Sequence, residues 1–144
     1  MNGNIVNEIS PVRAARAKLL KNGNILIVSG MAWHSWRKEG DVREYDWSGN
    51  LVWRYKPPGL AHHDVERLEN GSTLLVYQEK VPKEYLQKVK DPKRRTTILS
   101  DVVLEVTPEK EIVWEYTIPY PHRIGRAQRV PYDYCPSNGS SRRT

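Results

Sequence analysis

The sequence contains no phenylalanine and a single cysteine, Cys135. One cysteine excludes a disulfide bond within the chain. No apolar run approaches the roughly 18 residues that a membrane-spanning helix needs, so we expect no membrane span. The first six residues lack a basic region followed by an apolar core and do not resemble a signal peptide. These residues alone favour a cytoplasmic location, and export stays open if the gene extends upstream of Met1.

Residues typical of strands and turns are abundant instead. The 144 residues include 9 glycines, 10 prolines, 5 tryptophans and 8 tyrosines. This composition favours many short strands over a helical bundle. A chain of this length corresponds to one domain with a core of its own. The composition therefore predicts an all-β fold.

The net charge of +6 is unevenly distributed. Basic side chains concentrate in residues 83–95 and 121–144, whereas acidic side chains dominate residues 100–120. Basic clusters attract phosphate, sulfate and nucleic acid, and ordinary solvated loops are the alternative interpretation. The basic residues fall in expected loops and are not interleaved with aromatic side chains. We therefore do not expect nucleic acid as a partner.

Two Asn-Gly pairs indicate β-hairpins. Asn22-Gly23 and Asn70-Gly71 each stand between apolar runs. Such a pair is a strong hairpin signal, because the two-residue turn that it favours needs positive φ at both positions. The sequence thus predicts two hairpins with both turn residues in the left-handed region.

A second pattern occurs three times, in residues 3–9, 49–55 and 110–116. In the last two copies large apolar side chains alternate with other residues around a central tryptophan. A period of two is typical of a half-buried strand. The first copy has Asn7 in place of the tryptophan, which predicts a weaker or edge strand.

Further strands are expected over residues 41–46 and 101–106, each of which precedes a turn. The resulting unit of four antiparallel strands recurs along the chain, a pattern typical of β-propeller blades. We therefore predict an all-β, β-propeller segment. Its expected parts are the last strand of a preceding blade (1–12), a complete blade (13–56), a blade with an inserted loop at 80–99 (57–117), the start of another blade (118–136) and a flexible tail (137–144).

Propellers usually need at least four blades to close, so the predicted segment cannot close alone. The interpretation that we favour is a piece of a longer propeller. The alternatives are self-association through exposed blade faces and an unstable chain. The inserted loop carries a predicted short helix that begins at Pro82 and ends at Pro92. Its basic residues form either an anion-attracting lip or an ordinary exposed loop.

Several motifs resemble the arylsulfotransferase family of six-bladed, quinoprotein-like propellers. They are His-His-Asp at 62–64 with the hairpin that follows, Val-Pro-Lys-Glu at 81–84, and the strand at 101–106. The resemblance covers most of residues 14–136. It implies transfer of a sulfuryl group from an aryl sulfate to a phenol through a sulfated histidine, without a diffusible nucleotide sulfate donor. The implied partners are therefore small molecules, an aryl sulfate and a phenol, and no cofactor is implied.

Histidine and arginine suit this chemistry. Neutral imidazole is a nucleophile near pH 7 and becomes a good leaving group. Cations and hydrogen-bond donors stabilise the charge that develops on the sulfuryl oxygens and the phenolate. A carboxylate can orient an imidazole through a ring nitrogen. The predicted site comprises His63, His122 and His62 as catalytic residues, Arg123 and Arg126 as sulfate-binding residues, and Asp64 as the orienting residue.

Each candidate has a structural alternative. The histidine pair can serve as a hydrogen-bonded turn, and the arginines can form surface salt bridges. His34 is expected to pack in a loop. No tight ligand spacing supports a metal site among His62, His63 and His122, so no metal is expected. The function classes that stay open are an aryl sulfotransferase, which we favour, a non-catalytic propeller module for binding or assembly, and a basic module that binds anions or nucleic acid.

Overall fold

The computed structural model describes residues 2–10, 13–29, 40–95, 99–118 and 124–130. The first of its sheets contains four antiparallel strands whose order in the sheet is their order in the chain. The apolar residues that alternate or cluster in these segments suit a sheet with one buried face. The strands are β1 (Ala14–Leu19), β2 (Ile25–Ser29), β3 (Val42–Tyr45) and β4 (Leu51–Tyr55).

The second sheet has the same order and the same antiparallel pairing. The predicted all-β class is confirmed, and the two four-stranded sheets are consistent with a propeller segment. Between the second and third of these strands lie a short helix, α1 (Lys83–Leu86), and a 3-10 turn (Pro92–Arg94). The strands are β5 (Leu60–Arg67), β6 (Thr73–Lys80), β7 (Leu99–Val106) and β8 (Ile112–Thr117).

The helix in the insertion is shorter than predicted. Pro82 precedes α1 as its N-cap, as expected, but the helix ends at Leu86. Pro92 does not end it; Pro92 begins the separate 3-10 turn, where the Asp91 carboxylate accepts a hydrogen bond from Lys93 N at 3.0 Å. Proline fits the first position of a helical turn because the amide hydrogen that it lacks would have no partner there.

The core is one cluster of buried residues shared by both sheets, and β5 packs against β1 and β2. β7 contributes three of the cluster's buried members, and β2, β5 and β6 contribute two each. Burial of aliphatic side chains from both sheets stabilises this contact through the hydrophobic effect. The buried members are Leu26, Val28, Val42, Tyr55, Ala61, Val65, Leu75, Tyr77, Val102, Leu104 and Val106.

Buried charges also connect the sheets. The Glu44 carboxylate on β3 accepts a hydrogen bond from the Arg67 guanidinium on β5 at 2.5 Å. That guanidinium lies 4.8 Å from the centre of the Trp53 ring. The Trp53 indole donates a hydrogen bond to the backbone oxygen of Pro108 at 2.8 Å, so β4 is held against the β7–β8 turn. A related pair, Glu105 with Arg129, joins β7 to residues 124–130.

Two sequence expectations differ from the structure at the ends of this arrangement. Residues 2–10 form no strand, although the Asn7 side chain donates a hydrogen bond to the Trp47 backbone oxygen at 2.8 Å. The half-buried strand expected over 110–116 is exposed along β8, and Trp114 keeps 45% of its surface accessible. The reason is that no further sheet covers β8 among the residues that the structure describes. None of the described helices is long and apolar enough to span a bilayer.

The hairpin turns differ from the predicted type. Leu20 N donates to the Asn24 oxygen at 2.8 Å and Gly23 N donates to the Leu20 oxygen at 3.0 Å. Only Gly23 has positive φ, at 85°. This is a type I turn followed by one left-handed residue, so the expectation of positive φ at Asn22 is wrong. Its side chain instead accepts a hydrogen bond from Asn24 N at 3.0 Å, which stabilises the turn.

The same turn closes the other three hairpins, and glycine holds the left-handed position in two of them. Gly49 and Gly71 have φ of 86° and 87°. In the β7–β8 turn Lys110 occupies this position with φ of 76°. A Cβ atom makes this conformation unfavourable, so Lys110 carries a local backbone cost that the glycines avoid.

Replacing Lys110 by glycine should therefore raise the free energy of unfolding by about 1 kcal/mol. Denaturant unfolding of Lys110→Gly against the wild type measures this. The matched variant Gly23→Ala should lower the free energy of unfolding by a similar amount. A Cβ there meets no atom within 4 Å, so the change affects only the conformational energy of the left-handed backbone. A destabilised Lys110→Gly protein would contradict the assignment of strain to this turn.

Candidate functional site

The two adjacent histidines stand in a bulge of β5. Ala61 pairs with Tyr77 of β6, and the next regular pair joins Val65 to Leu75. Four steps along β5 thus match two steps along β6, which leaves two extra residues in β5. Bulges of this kind redirect side chains. His63 has φ of 59°, a conformation that residues with a Cβ rarely adopt.

The bulge brings the imidazoles of His62 and His63 into contact. Their Nδ1 atoms lie 2.5 Å apart, and the rings are nearly perpendicular at 88°. A neutral imidazole has one N–H and one lone pair, so one of these Nδ1 atoms donates and the other accepts. His62 is buried, whereas His63 is exposed. The contact therefore connects a ring in the interior to a ring that a substrate can reach.

A buried carboxylate faces the other side of His62. Oδ1 of Asp101, on β7, lies 3.2 Å from Nε2 of His62. Its Oδ2 accepts a hydrogen bond from the backbone N–H of Ile124 at 2.5 Å. Asp101 is 1% exposed. Asp101, His62 and His63 thus form a continuous series of polar contacts from the interior to the surface.

Asp64 faces cations of the neighbouring sheet. Its Oδ1 lies 3.5 Å from Nε of Arg16 and 3.6 Å from Nζ of Lys18, both on β1. These ion pairs hold the bulged part of β5 against the first sheet. The carboxylate that approaches an imidazole is that of Asp101, which is not among the residues predicted for the site. The proposed orienting role of Asp64 remains a prediction.

The first sheet offers a contrasting carboxylate, Asp41, just before β3. Burial opposes its ionisation, but hydrogen bonds from Ser29, Arg54 and Arg43 outweigh burial and hold the pKa of Asp41 below its ordinary value. Two arginines therefore neutralise this carboxylate, with Nε of Arg54 2.5 Å and Nε of Arg43 3.0 Å from it. Asp41 serves the structure of the first sheet, whereas Asp101 faces a titratable ring.

Arg126 is exposed and lies apart from the histidine pair. It lines a cleft of about 560 Å³ beside β8, together with Trp114 and Arg129. The cleft and the histidine pair share no lining residue. Arg126 and Trp114 therefore line one cleft that does not include the bulge. The other predicted site residues, His122 and Arg123, lie outside the described residues.

The sequence indicates that Asp101 needs a polar partner, but only the pairing of the strands shows which residue that partner is. Asp101 stands near the start of a buried strand rich in valine and leucine, where a carboxylate without a partner is unfavourable. The partner is on β5, which lies two strands away in the sheet. Sequence spacing does not show that contact. Among the described residues no group of three or more potential ligands is arranged to hold a metal ion.

A protein-family model described as arylsulfotransferase (ASST) matches residues 2–120. The chain belongs to the arylsulfotransferase family. The match includes both sheets and the histidine pair, and it confirms the resemblance identified from the motifs. Comparison with curated proteins gave no match. The family model therefore supports a sulfotransferase-type function for this arylsulfotransferase chain at the level of the family.

The left-handed backbone at His63 gives a prediction for the stability of this arylsulfotransferase chain. His63→Gly and His63→Ala both remove the imidazole, but only glycine relieves the backbone. The free energy of unfolding of His63→Gly should therefore be about 1 kcal/mol higher than that of His63→Ala. At an ordinary strand position the glycine variant would be the less stable of the two, because glycine loses more conformational entropy on folding. Denaturant unfolding measures the difference, and a less stable glycine variant would contradict the strained bulge.

Proposed function

We propose that the protein transfers a sulfuryl group from an aryl sulfate to a phenol through a covalent intermediate on His63. The single observation that carries the proposal is an exposed imidazole, His63, held in contact with a buried imidazole at a strained bulge. Strain of this kind persists where the surrounding structure enforces it, and it concentrates at functional sites. Membership in the arylsulfotransferase family supports the reaction class.

In the first step the Nε2 lone pair of His63 attacks the sulfur atom of the aryl sulfate. An N–S bond forms while the bond from sulfur to the aryl oxygen breaks. The phenolate leaves with the electron pair of that bond and takes up a proton from water. In the second step the acceptor phenol gives its proton to water, its oxygen attacks sulfur, and the N–S electron pair returns to the imidazole.

The other predicted residues have supporting roles in this proposal. His62 holds the ring of His63 through the Nδ1 contact. Asp64 stays a candidate for orienting an imidazole, and His122 is a second candidate for the histidine that takes the sulfuryl group. Arg123 and Arg126 would bind the sulfuryl oxygens, because guanidinium groups offer several donors in a fixed geometry. Arg126 is exposed but lines the cleft beside β8, apart from the histidine pair, so its role in sulfate binding stays a prediction.

The activity test uses p-nitrophenyl sulfate as donor and phenol as acceptor. Release of p-nitrophenol should depend on phenol in the wild type and fall at least about 100-fold in His63→Ala, because the nucleophile is lost. His122→Ala tests the second candidate in parallel. Lys110→Gly, in a turn outside the site, is the control that should keep wild-type turnover. Full activity of His63→Ala would reject His63 as the nucleophile.

A second candidate function is assembly through the outer face of β8. Ile112, Trp114 and Tyr116 share one face of this strand, and all three are about half exposed. Contiguous exposed apolar residues are typical of interaction surfaces. This observation supports self-association of the chain or a place for β8 against another sheet, including further blades of a longer propeller.

Self-association can be measured by sedimentation velocity over a range of protein concentrations. Replacing Trp114 and Tyr116 together by serine should abolish any concentration-dependent increase in sedimentation coefficient, because the apolar area is removed. Leu19→Ser is the matched control, since Leu19 is 70% exposed on β1 and lies outside the β8 face. Identical sedimentation of the double variant and the wild type at all concentrations would contradict assembly through β8.

A further inference from the structure

The geometry points to Asp101 as the residue that decides which nitrogen of His63 is nucleophilic. This inference rests on the proposed transfer through His63. Asp101 has no contact with the exposed ring and acts through His62, so it is a positioning residue. Its burial, its fixed backbone partner and its distance from His62 carry the argument.

The proton positions follow from Asp101 outward. Oδ1 of Asp101 places a negative charge 3.2 Å from Nε2 of His62, although the two atoms do not form a hydrogen bond of regular geometry. This charge attracts the imidazole proton to Nε2 rather than to the more distant Nδ1. Neutral His62 therefore carries its proton on Nε2 and has a lone pair on Nδ1. Across the 2.5 Å contact, Nδ1 of His63 must then carry the proton of the exposed ring. Nε2 of His63 is left with the lone pair that attacks sulfur.

The opposite arrangement of protons would disable the exposed ring. If His62 carried its proton on Nδ1, Nδ1 of His63 would have to accept, and the proton of His63 would lie on Nε2. A protonated Nε2 has no lone pair to attack sulfur. The two histidines alone permit both arrangements. Asp101 selects the reactive one because it places a negative charge beside Nε2 of His62.

Asp101 is itself held in one orientation. The backbone N–H of Ile124 donates to Oδ2 at 2.5 Å, which leaves Oδ1 directed to His62. The substitution Asp101→Asn therefore has a defined outcome. Its amide oxygen keeps the hydrogen bond from Ile124, since an NH₂ group there would face another donor. Its NH₂ group then faces His62, requires a lone pair on Nε2, and moves the His62 proton to Nδ1.

Asp101 also balances charge during the reaction. When Nε2 of His63 bonds to sulfur, the ring of His63 becomes an imidazolium and keeps its Nδ1 proton. That proton makes a charge-assisted hydrogen bond to Nδ1 of His62. The negative charge of Asp101 stabilises the positive ring through His62, at a buried position where solvent screens it little. The nearby buried carboxylate, Asp64, is already paired with Arg16 and Lys18.

The proton positions can be measured on the full chain without any turnover. Long-range ¹H–¹⁵N correlation spectra of the ¹⁵N-labelled protein distinguish protonated from unprotonated ring nitrogens in each histidine. In the wild type we expect a proton on Nε2 of His62 and on Nδ1 of His63. In Asp101→Asn we expect the proton of His62 on Nδ1 and the proton of His63 on Nε2. In the matched variant Asp41→Asn, which changes a buried carboxylate of the first sheet that is paired with arginines, we expect the wild-type pattern.

Two results would overturn the inference. One is a protonated Nε2 on neutral His63 in the wild type, a measurement that needs no variant to fold. The other is a folded Asp101→Asn protein in which both rings keep the wild-type pattern.

Turnover of p-nitrophenyl sulfate separates this inference from the proposed function. Asp101→Asn should lower kcat at least about 100-fold with little change in KM, because the wrong nitrogen is protonated and substrate contacts are unchanged. A wild type with the expected proton pattern and no phenol-dependent turnover would reject the proposed function and leave the proton arrangement standing. Turnover through His63 with full kcat in Asp101→Asn would reject the positioning role alone.

Discussion

Burial of charge between the two sheets is the constraint on which the arrangement depends. β5 carries Asp64 and Arg67 into the contact with the first sheet, and each finds its opposite charge there. Asp64 meets Arg16 and Lys18 on β1, and Arg67 meets Glu44 on β3. The carboxylates of Asp64 and Glu44 are buried, so removing the cationic partner of either one would leave a buried negative charge without compensation. These pairs therefore fix the register of β5 against the first sheet.

The fixed ends of β5 explain how a strained bulge can persist in its middle. The pairs at Ala61 and Val65 are regular on both sides of the bulge, and Asp64 is tied to β1. The two extra residues cannot be absorbed by sliding the strand, because a shift by one residue would turn every buried side chain of β5 to the opposite face. The chain instead rises out of the sheet, and His63 takes a left-handed backbone. Packing on both sides thus holds the exposed imidazole in place.

Most of the fold could be predicted from the sequence, because strands and turns leave local patterns. The period of two located β4 and β8, the segments that precede turns located β3 and β7, and the Asn-Gly pairs located two hairpins. The turn type was wrong because Asn22 accepts a hydrogen bond through its side chain and does not take positive φ itself. The exposure of β8 was missed because alternation shows which side chains share a face. It does not show whether anything covers that face.

The candidate site was only partly predictable, for a different physical reason. His62 and His63 stand out in the sequence because Ala14 and Ala15 occupy the corresponding positions at the start of β1. Asp101 does not stand out, since its significance depends on a contact across the sheet. Asp64 was the nearer carboxylate in the chain, yet its charge is directed to β1. Neighbours in sequence share a backbone, whereas the polar contacts of a buried ring depend on the strands packed beside it.

The two sheets show how a site can arise without a change of scaffold. β1 has a bulge at the matching place, between Ala14 and Arg16, and there the side chains are small or serve an ion pair. In β5 the bulge is one residue longer and carries two imidazoles. The first sheet neutralises its buried carboxylate, Asp41, with arginines, whereas the second directs Asp101 to a ring that can exchange a proton. In the proposed mechanism, reactivity depends on which partner a buried carboxylate has, and the bulge connects that buried partner, His62, to the exposed ring of His63.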